Sequence, residues 1–161
     1  MFIRFITTGG TIDKIYFDEL SRFEVGDSQV RHILTEGLVQ FDYEVVPMFQ
    51  KDSLDITAED RGRLRDYIAA DDGSRYVITH GTDTMVETAQ ALAGFPGKII
   101  VLTGALSPAR FKHTDAVFNV GMAVAAVQVA PPGVYIAMSG QLFEAGSVRK
   151  NREENRFERV D

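Results

Sequence analysis

Two short stretches of the chain concentrate hydroxyls, glycines and a carboxylate: Thr7-Thr8-Gly9-Gly10-Thr11-Ile12 near the start and Thr79-His80-Gly81-Thr82-Asp83-Thr84 in the middle. A threonine hydroxyl is a weak nucleophile until a neighbouring base removes its proton. Thr11 follows a glycine pair, and glycines permit both unusual backbone angles and a close approach of ligand to backbone. The second stretch adds Thr82 as a hydroxyl relay, Asp83 as a carboxylate, and backbone amides at the start of a helix. Such amides stabilise negative charge that develops on a carbonyl oxygen. Together these groups suit nucleophilic attack on a carbonyl carbon. Singly, Gly-Gly-Thr also reads as a common turn, and Thr82-Asp83-Thr84 as a common helix cap. A phosphate-binding loop does not fit, because neither Gly-x-Gly-x-x-Gly nor a Gly-Lys-Ser/Thr ending is present.

Both stretches follow runs that read as buried strands, Phe2–Thr7 and Tyr76–Thr79. The carboxyl ends of strands are where open α/β sheets place ligands. Further strands are expected at Tyr43–Phe49, Lys98–Leu102 and Val134–Met138, with Pro47 pointing to an edge. Between them, apolar residues at spacings of three and four predict helices. The first carries Val30, Ile33, Leu34 and Leu38 and is expected to be capped by Asp27; Gly37 weakens its last turn. The second is capped by Thr57, with Asp60 three positions on, and carries Leu64, Tyr67 and Ile68. Thr84–Ala93 and Thr114–Val129 complete the set. Alternation of strand and helix predicts one three-layer α/β domain over residues 1–161, with a mostly parallel, Rossmann-like or flavodoxin-like sheet. The Arg149–Asp161 segment is rich in charge and reads on composition as a solvated tail.

Composition narrows the function classes. The chain has 161 residues, 45% hydrophobic and 25% charged, a globular balance. A net charge of −6 leaves no basic footprint for nucleic acid. There is no cysteine, so thiolate nucleophiles, thiolate metal ligands and disulfides are excluded. Met1 leads directly into Phe2–Ile6 with no basic leader, and no apolar run reaches the length of a membrane span. A cytoplasmic, membrane-free location is therefore expected.

Taken jointly, Thr8-Gly9-Gly10-Thr11-Ile12 and His80-Gly81-Thr82-Asp83-Thr84-Met85 resemble the two active-site signatures of bacterial-type asparaginases and glutaminase-asparaginases. The resemblance extends along the chain. Asp52–Thr57 is similar to the family's substrate-carboxylate loop, Thr103-Gly104-Ala105 to its Gly-Ala turn, and Val148-Arg149-Lys150 to the segment that holds its catalytic lysine. It implies an amidohydrolase that converts L-asparagine to L-aspartate and ammonia, acts on a small amino-acid amide, and needs neither metal nor organic cofactor. Thr11 is then the nucleophile, Thr82 and Lys150 a hydroxyl–amine pair, and Asp83 the partner of the substrate α-ammonium group. A lysine acts as a base only where burial or another cation lowers its pKa. Ser53 and the Gly81 backbone are expected to hold the α-carboxylate, Gly10 to belong to the substrate-binding site, and the Ala105 carbonyl to contact the leaving amide. The Thr82 amide would serve the oxyanion. Tyr16 matches a lid tyrosine that touches the nucleophile, or else anchors the lid hydrophobically. His80 is expected to support its loop and His113 to lie at the mouth.

The sequence also departs from this family. Asp13-Lys14-Ile15 replaces a loop of small residues, and Leu54 stands where many members have a polar residue facing the substrate amine. The family's second domain, which supplies an acidic residue to a neighbouring subunit's site, has no counterpart in these 161 residues. Three outcomes follow: a compact hydrolase completed by Glu153 or Glu154 of another subunit, an amidase for a related amide, or an amino-acid-sensing module without turnover. The first implies a homodimer or homotetramer.

Overall fold

The computed structural model describes residues 1–160. Its centre is a six-stranded sheet in the order β4-β1-β5-β6-β7-β8. The strands are β1 (Phe2–Gly9), β4 (Asp42–Lys51), β5 (Arg75–Thr79), β6 (Ile99–Thr103), β7 (Gly133–Met138) and β8 (Gln141–Glu144). The first five in spatial order are parallel; β8 turns back antiparallel to β7. Parallel strands buried on both faces read as nearly continuous apolar runs. Tyr76-Val77-Ile78 and Ile99–Leu102 are such runs, and all are buried.

Alternation along each strand divides the core into two layers. Ile6, Ile78, Ile100 and Leu102 pack with Leu64 and Ile68 of α2 (Ala58–Ala70) and Met85 and Ala89 of α3 (Met85–Ala91). Phe5, Val77 and Val101 face the other way, against Val30 and Leu34 of α1 (Val30–Glu36) and Ala123 and Val127 of α4 (Ala116–Val129). This is the predicted three-layer arrangement, with the flavodoxin-like order of its parallel strands. Pro47 lies, as expected, on the edge strand β4, where its missing N–H breaks no inner ladder.

Local signals account for some boundaries and miss others. Thr57 forms a reciprocal capping box: Asp60 N donates to Thr57 Oγ1 (3.1 Å) and Thr57 N to Asp60 Oδ2 (3.0 Å). The expectation that Asp27 caps α1 is incorrect. The chain turns later, at Gln29, whose amide donates instead to Asp13 Oδ1 at 2.9 Å, while Val30 N donates to Ser28 Oγ at 3.3 Å.

Two hairpins stand outside the central sheet. β2 (Lys14–Phe17) pairs antiparallel with β3 (Arg22–Val25) directly after the Thr11 turn. β9 (Val148–Asn151) pairs with β10 (Arg156–Arg159), setting Lys150 opposite Phe157. The predicted solvated tail is therefore a correction: Val148 and Phe157 are 3% and 5% exposed and join the α2/α3 core layer. One apolar anchor on each strand seats the hairpin, and the Lys150 side chain also turns inward. Asp161, the last residue of that expected tail, lies outside the described residues.

Candidate active site

The order of the sheet reverses between β1 and β5, and a crevice opens at the carboxyl ends of strands where such a reversal occurs. The loop after β1 carries Thr11 and the loop after β5 carries Thr82 and Asp83. Thr11 opens a single 3₁₀ turn, Thr11–Asp13, and is half-buried.

The loops meet backbone to backbone. Gly10 has φ 89°, a left-handed value that side chains resist, and a Cβ there would lie 2.4 Å from Gly81 Cα. A Cβ on Gly81 would in turn fall 2.6 Å from Ser53 Cβ. The loops after β1, β5 and β4 thus stack as Gly10, Gly81 and Ser53. Ala105 joins from the loop after β6, because Gly104 beside it rests on the His80 carbonyl. Ser53 and Ala105 are buried, at 2% and 1% exposure. Four loops thereby bring Gly10, Ser53, Gly81 and Ala105 to one place.

Lys150 arrives on β9 with its side chain 9% exposed. Its Nζ donates to Thr82 Oγ1 at 2.7 Å and to Asp83 Oδ1 at 2.6 Å. Thr82 is buried, whereas the Asp83 side chain is 39% exposed and its second oxygen has no hydrogen bond among the described residues. Lys150 lies 68 positions from Thr82 and 67 from Asp83 in sequence. A lysine, a hydroxyl and a carboxylate in one contact set can move a proton and hold an ammonium group.

His80 is buried behind this set. Its Nδ1 lies 2.7 Å from the Gly81 carbonyl and its Nε2 2.8 Å from Thr88 Oγ1, which also accepts from Arg61 Nε at 2.9 Å. A carbonyl can only accept, so Nδ1 carries the proton and Nε2 takes the Thr88 hydroxyl hydrogen. Burial pushes the imidazole pKa down to about 4, and the nearby Arg61 charge adds to this against the Gly81 bond. His80 is thus a neutral brace for the Gly81 backbone, in keeping with its expected supporting role. His113 lies exposed on the loop between β6 and α4.

Tyr16 is placed on the β2–β3 hairpin, 52% exposed, tilted against Phe23, which packs on Phe111. No hydrogen bond joins it to Thr11 among the described residues, and its observed contacts are those of an aromatic anchor. The hairpin is held to the Ser53 loop by Lys14 Nζ, 3.0 Å from Asp52 Oδ2. Burial alone would raise the Asp52 pKa, but the Leu54 amide and Lys14 outweigh it and hold the carboxyl below its ordinary value. Leu54 is 66% exposed beside Ser53.

Two supporting residues escaped the sequence reading. Asn119, fully buried, donates to the Gly104 carbonyl (3.0 Å) and accepts from Ser139 N (3.0 Å), tying the loops after β6 and β7 together. A lone asparagine within the apolar Val117–Val120 run was its only signal. Asp13 is 1% exposed and accepts from Gln29 N; its charge gave no hint of burial. Among the described residues no group of three or more His, Asp or Glu side chains is placed to share a metal ion.

Comparison with known proteins identifies the family and the fold. The family model described as asparaginase, N-terminal, matches residues 2–158. L-asparaginase 1 of Escherichia coli is 37% identical over 132 residues, covering 70% of this chain and 36% of that protein. The thermostable L-asparaginase of Thermococcus kodakarensis superposes with a TM-score of 0.85 at 26% identity, covering 99% of this chain and 51% of that one. L-asparaginase I of Vibrio cholerae superposes equally well, again at 26% identity and over 98% and 51% of the two chains. The chain therefore spans about half the length of its solved relatives and about a third of the E. coli protein. By the family model, the shared signatures and the fold, the chain belongs to the asparaginase family, within its N-terminal domain.

Proposed function

We propose that this chain hydrolyses the side-chain amide of L-asparagine, with Thr11 as nucleophile. The observation that carries the reading is the Lys150–Thr82–Asp83 contact set, poised beside the Gly10–Gly81 junction that delivers the Thr11 turn. A protein that only bound an amino acid would need Asp83 and the Ser53 loop but no lysine–threonine relay.

In this reading Thr11 Oγ attacks the amide carbon while Lys150, through Thr82, accepts the proton released. The carbonyl oxygen becomes an oxyanion facing the Thr82 backbone amide. Return of the proton to the departing nitrogen releases ammonia and leaves an acyl ester on Thr11. Water then cleaves that ester to aspartate and restores the hydroxyl. The free Asp83 oxygen receives the α-ammonium group, Ser53 and the Gly10 and Gly81 backbones receive the α-carboxylate, and the Ala105 carbonyl contacts the leaving amide. Tyr16 closes over the cleft when the hairpin moves toward Thr11. The reading extends to a cytoplasmic homo-oligomer in which Glu153 or Glu154 of a second copy supplements Asp83.

Ammonia release from L-asparagine tests it. Thr11→Ala and Lys150→Met should each reduce turnover about 10²-fold or more. No release by the wild type, together with tight aspartate binding, would favour a sensing module. Leu54, exposed beside Ser53, supports one further substrate class, an asparagine-like amide with an apolar substituent near its amine; a higher kcat/KM for such an amide than for asparagine would select it.

A further inference from the structure

A cavity of about 470 Å³ opens beside the edge strand β4. Thr7, Asp13, Arg31, Met48, Phe49 and Gln50 are on its wall; Thr11, Thr82, Asp83 and Lys150 are not. Its volume lies in the range of small-molecule sites.

The polar groups on this wall are incompletely matched by the protein. Asp13 is 1% exposed, yet no lysine or arginine of the described residues comes within 4 Å of its carboxylate; its contacts are the Gln29 amide and the Ser28 hydroxyl. Burial raises its pKa to about 6, in spite of that amide, Arg110 and Ser28. Buried carboxylates are normally paired or neutralised. Thr7 is 2% exposed, and its hydroxyl makes no hydrogen bond within the described protein. At the rim, Arg31 commits one arm to the Val45 carbonyl (3.2 Å), and Gln50 commits its amide nitrogen to the Val25 carbonyl (2.8 Å). Among the described residues, the rest of the guanidinium and the Gln50 side-chain carbonyl are uncommitted. Met48 and Phe49 supply apolar wall between them.

We propose that this cavity is a second ligand site, which takes a free α-amino acid with an apolar side chain. The α-ammonium group meets Asp13 and Thr7, the α-carboxylate meets the Arg31 fork, and the side chain lies along Met48 and Phe49. A bare ammonium ion would satisfy Asp13 but leave Arg31 and most of the volume unused. Arginine's planar fork suits a carboxylate in particular. The site touches the reaction centre through one residue. Asp13 ends the turn that Thr11 begins, and its carbonyl accepts from Gly26 N at 2.8 Å, closing the root of the β2–β3 hairpin. Occupancy therefore fixes the residue on which the nucleophile turn and the lid both hang.

Calorimetric titration with L-leucine and L-methionine tests the proposal independently of any hydrolysis. One saturable site per chain is expected, undisturbed by Asp83→Asn and by saturating L-aspartate. Arg31→Ala should weaken binding about tenfold or more, the scale of a lost charge-assisted contact. Thr7→Val keeps the shape of the side chain and should weaken binding about threefold while leaving the melting temperature near that of the wild type, because the hydroxyl makes no hydrogen bond among the described residues. Isovalerate and ammonium chloride, each half of the ligand, should bind far more weakly. Absence of a saturable site for both amino acids would overturn the proposal. So would loss of binding in Asp83→Asn, indifference to both Arg31→Ala and Thr7→Val, or ammonium chloride binding as tightly as leucine. Failure of ammonia release would leave all of these outcomes readable.

Discussion

The two ends of the central sheet each hold a lysine inside a polar cluster, and the clusters differ in how completely they are closed. At the amino end of the strands, Lys98 Nζ donates to the Asp71 carbonyl (2.7 Å), the Gly73 carbonyl (2.7 Å) and Tyr76 Oη (3.1 Å), using its three hydrogens. Asp71 is engaged by Arg4, Tyr76 and Gly73 N. Burial works to raise the Asp71 pKa, but Tyr76, Arg4 and the Gly73 amide overcome it and hold the carboxyl below its ordinary value. At the carboxyl end, Lys150 has two protein acceptors, one Asp83 oxygen is free, and the Thr11 hydroxyl makes no hydrogen bond within the described protein. A saturated network holds the fold together; an unsaturated one is equipped to receive something. Residue type alone does not separate the two, since both ends use a lysine, an aspartate and a hydroxyl.

Exchanging the lysines one at a time should break this comparison most visibly. Lys150→Met is expected to abolish most ammonia release while leaving the unfolding midpoint near that of the wild type. Lys98→Met should do the opposite, costing about 1–3 kcal/mol in denaturant titration through the carbonyls it strands, with activity per folded molecule retained. If Lys98→Met were the variant that lost ammonia release, the assignment of the two ends would be reversed. A smaller but still large effect is expected of Gly81→Ala. Its new methyl meets Ser53 at 2.6 Å, so the loops must separate, and both stability and turnover should fall.

The pH dependence of stability gives a subtler discrimination. His80 is neutral when folded and ionises only near pH 4, whereas an unfolded histidine takes up its proton near pH 6.5. Between these values the unfolded chain binds more protons, so stability falls as pH drops from about 6.5 to 4. Asp13 acts with the opposite sign. Its folded pKa of about 6 exceeds the unfolded value near 3.8, so the folded chain binds more protons in that window and stability is regained as pH falls. His80→Asn should therefore remove the destabilising part and leave a protein that becomes more stable, or less unstable, toward pH 5. Melting curves at half-unit intervals of pH check this. The smallest effect is expected of Tyr16→Phe, which keeps the packing on Phe23: a loss of a few-fold or less if the tyrosine anchors the lid. A loss of 10²-fold would place its hydroxyl in the chemistry instead.

The five parallel strands were legible because the inner ones are buried apolar runs and the helices between them carry apolar residues at spacings of three and four; β8, short and with one buried residue, was not. Nor were the hairpins. Lys14–Val25 mixes exposed aromatics with charge and offers no regular face to read. Arg149–Arg159 is mostly charged, and two inward residues, Val148 and Phe157, are too few to register as a pattern. The site divides along the same line. Thr11, Thr82 and Asp83 follow strands and announce themselves as strand-end loops. Lys150 could be tied to Thr82 only through the family resemblance, since no local rule spans 68 positions. Asp13 was invisible because a sequence does not say which of its carboxylates will be buried. The Asp27 cap failed for a related reason: a distant carboxylate, Asp13, took the amide that a local cap would have served.

The β9–β10 hairpin has a consequence for behaviour on heating. It forms a two-stranded sheet of its own, hydrogen-bonded to no strand of the central sheet, and such ribbons open at lower free energy than the body they lie on. The amides of Arg149 and Lys150 should exchange with deuterium well ahead of those in β5 and β6. The proposed ammonia release would then decline over a temperature range in which circular dichroism still reports an intact protein, and would recover on cooling. Under the proposed function, the thermal ceiling for turnover would follow the opening of this hairpin and not the melting of the central sheet.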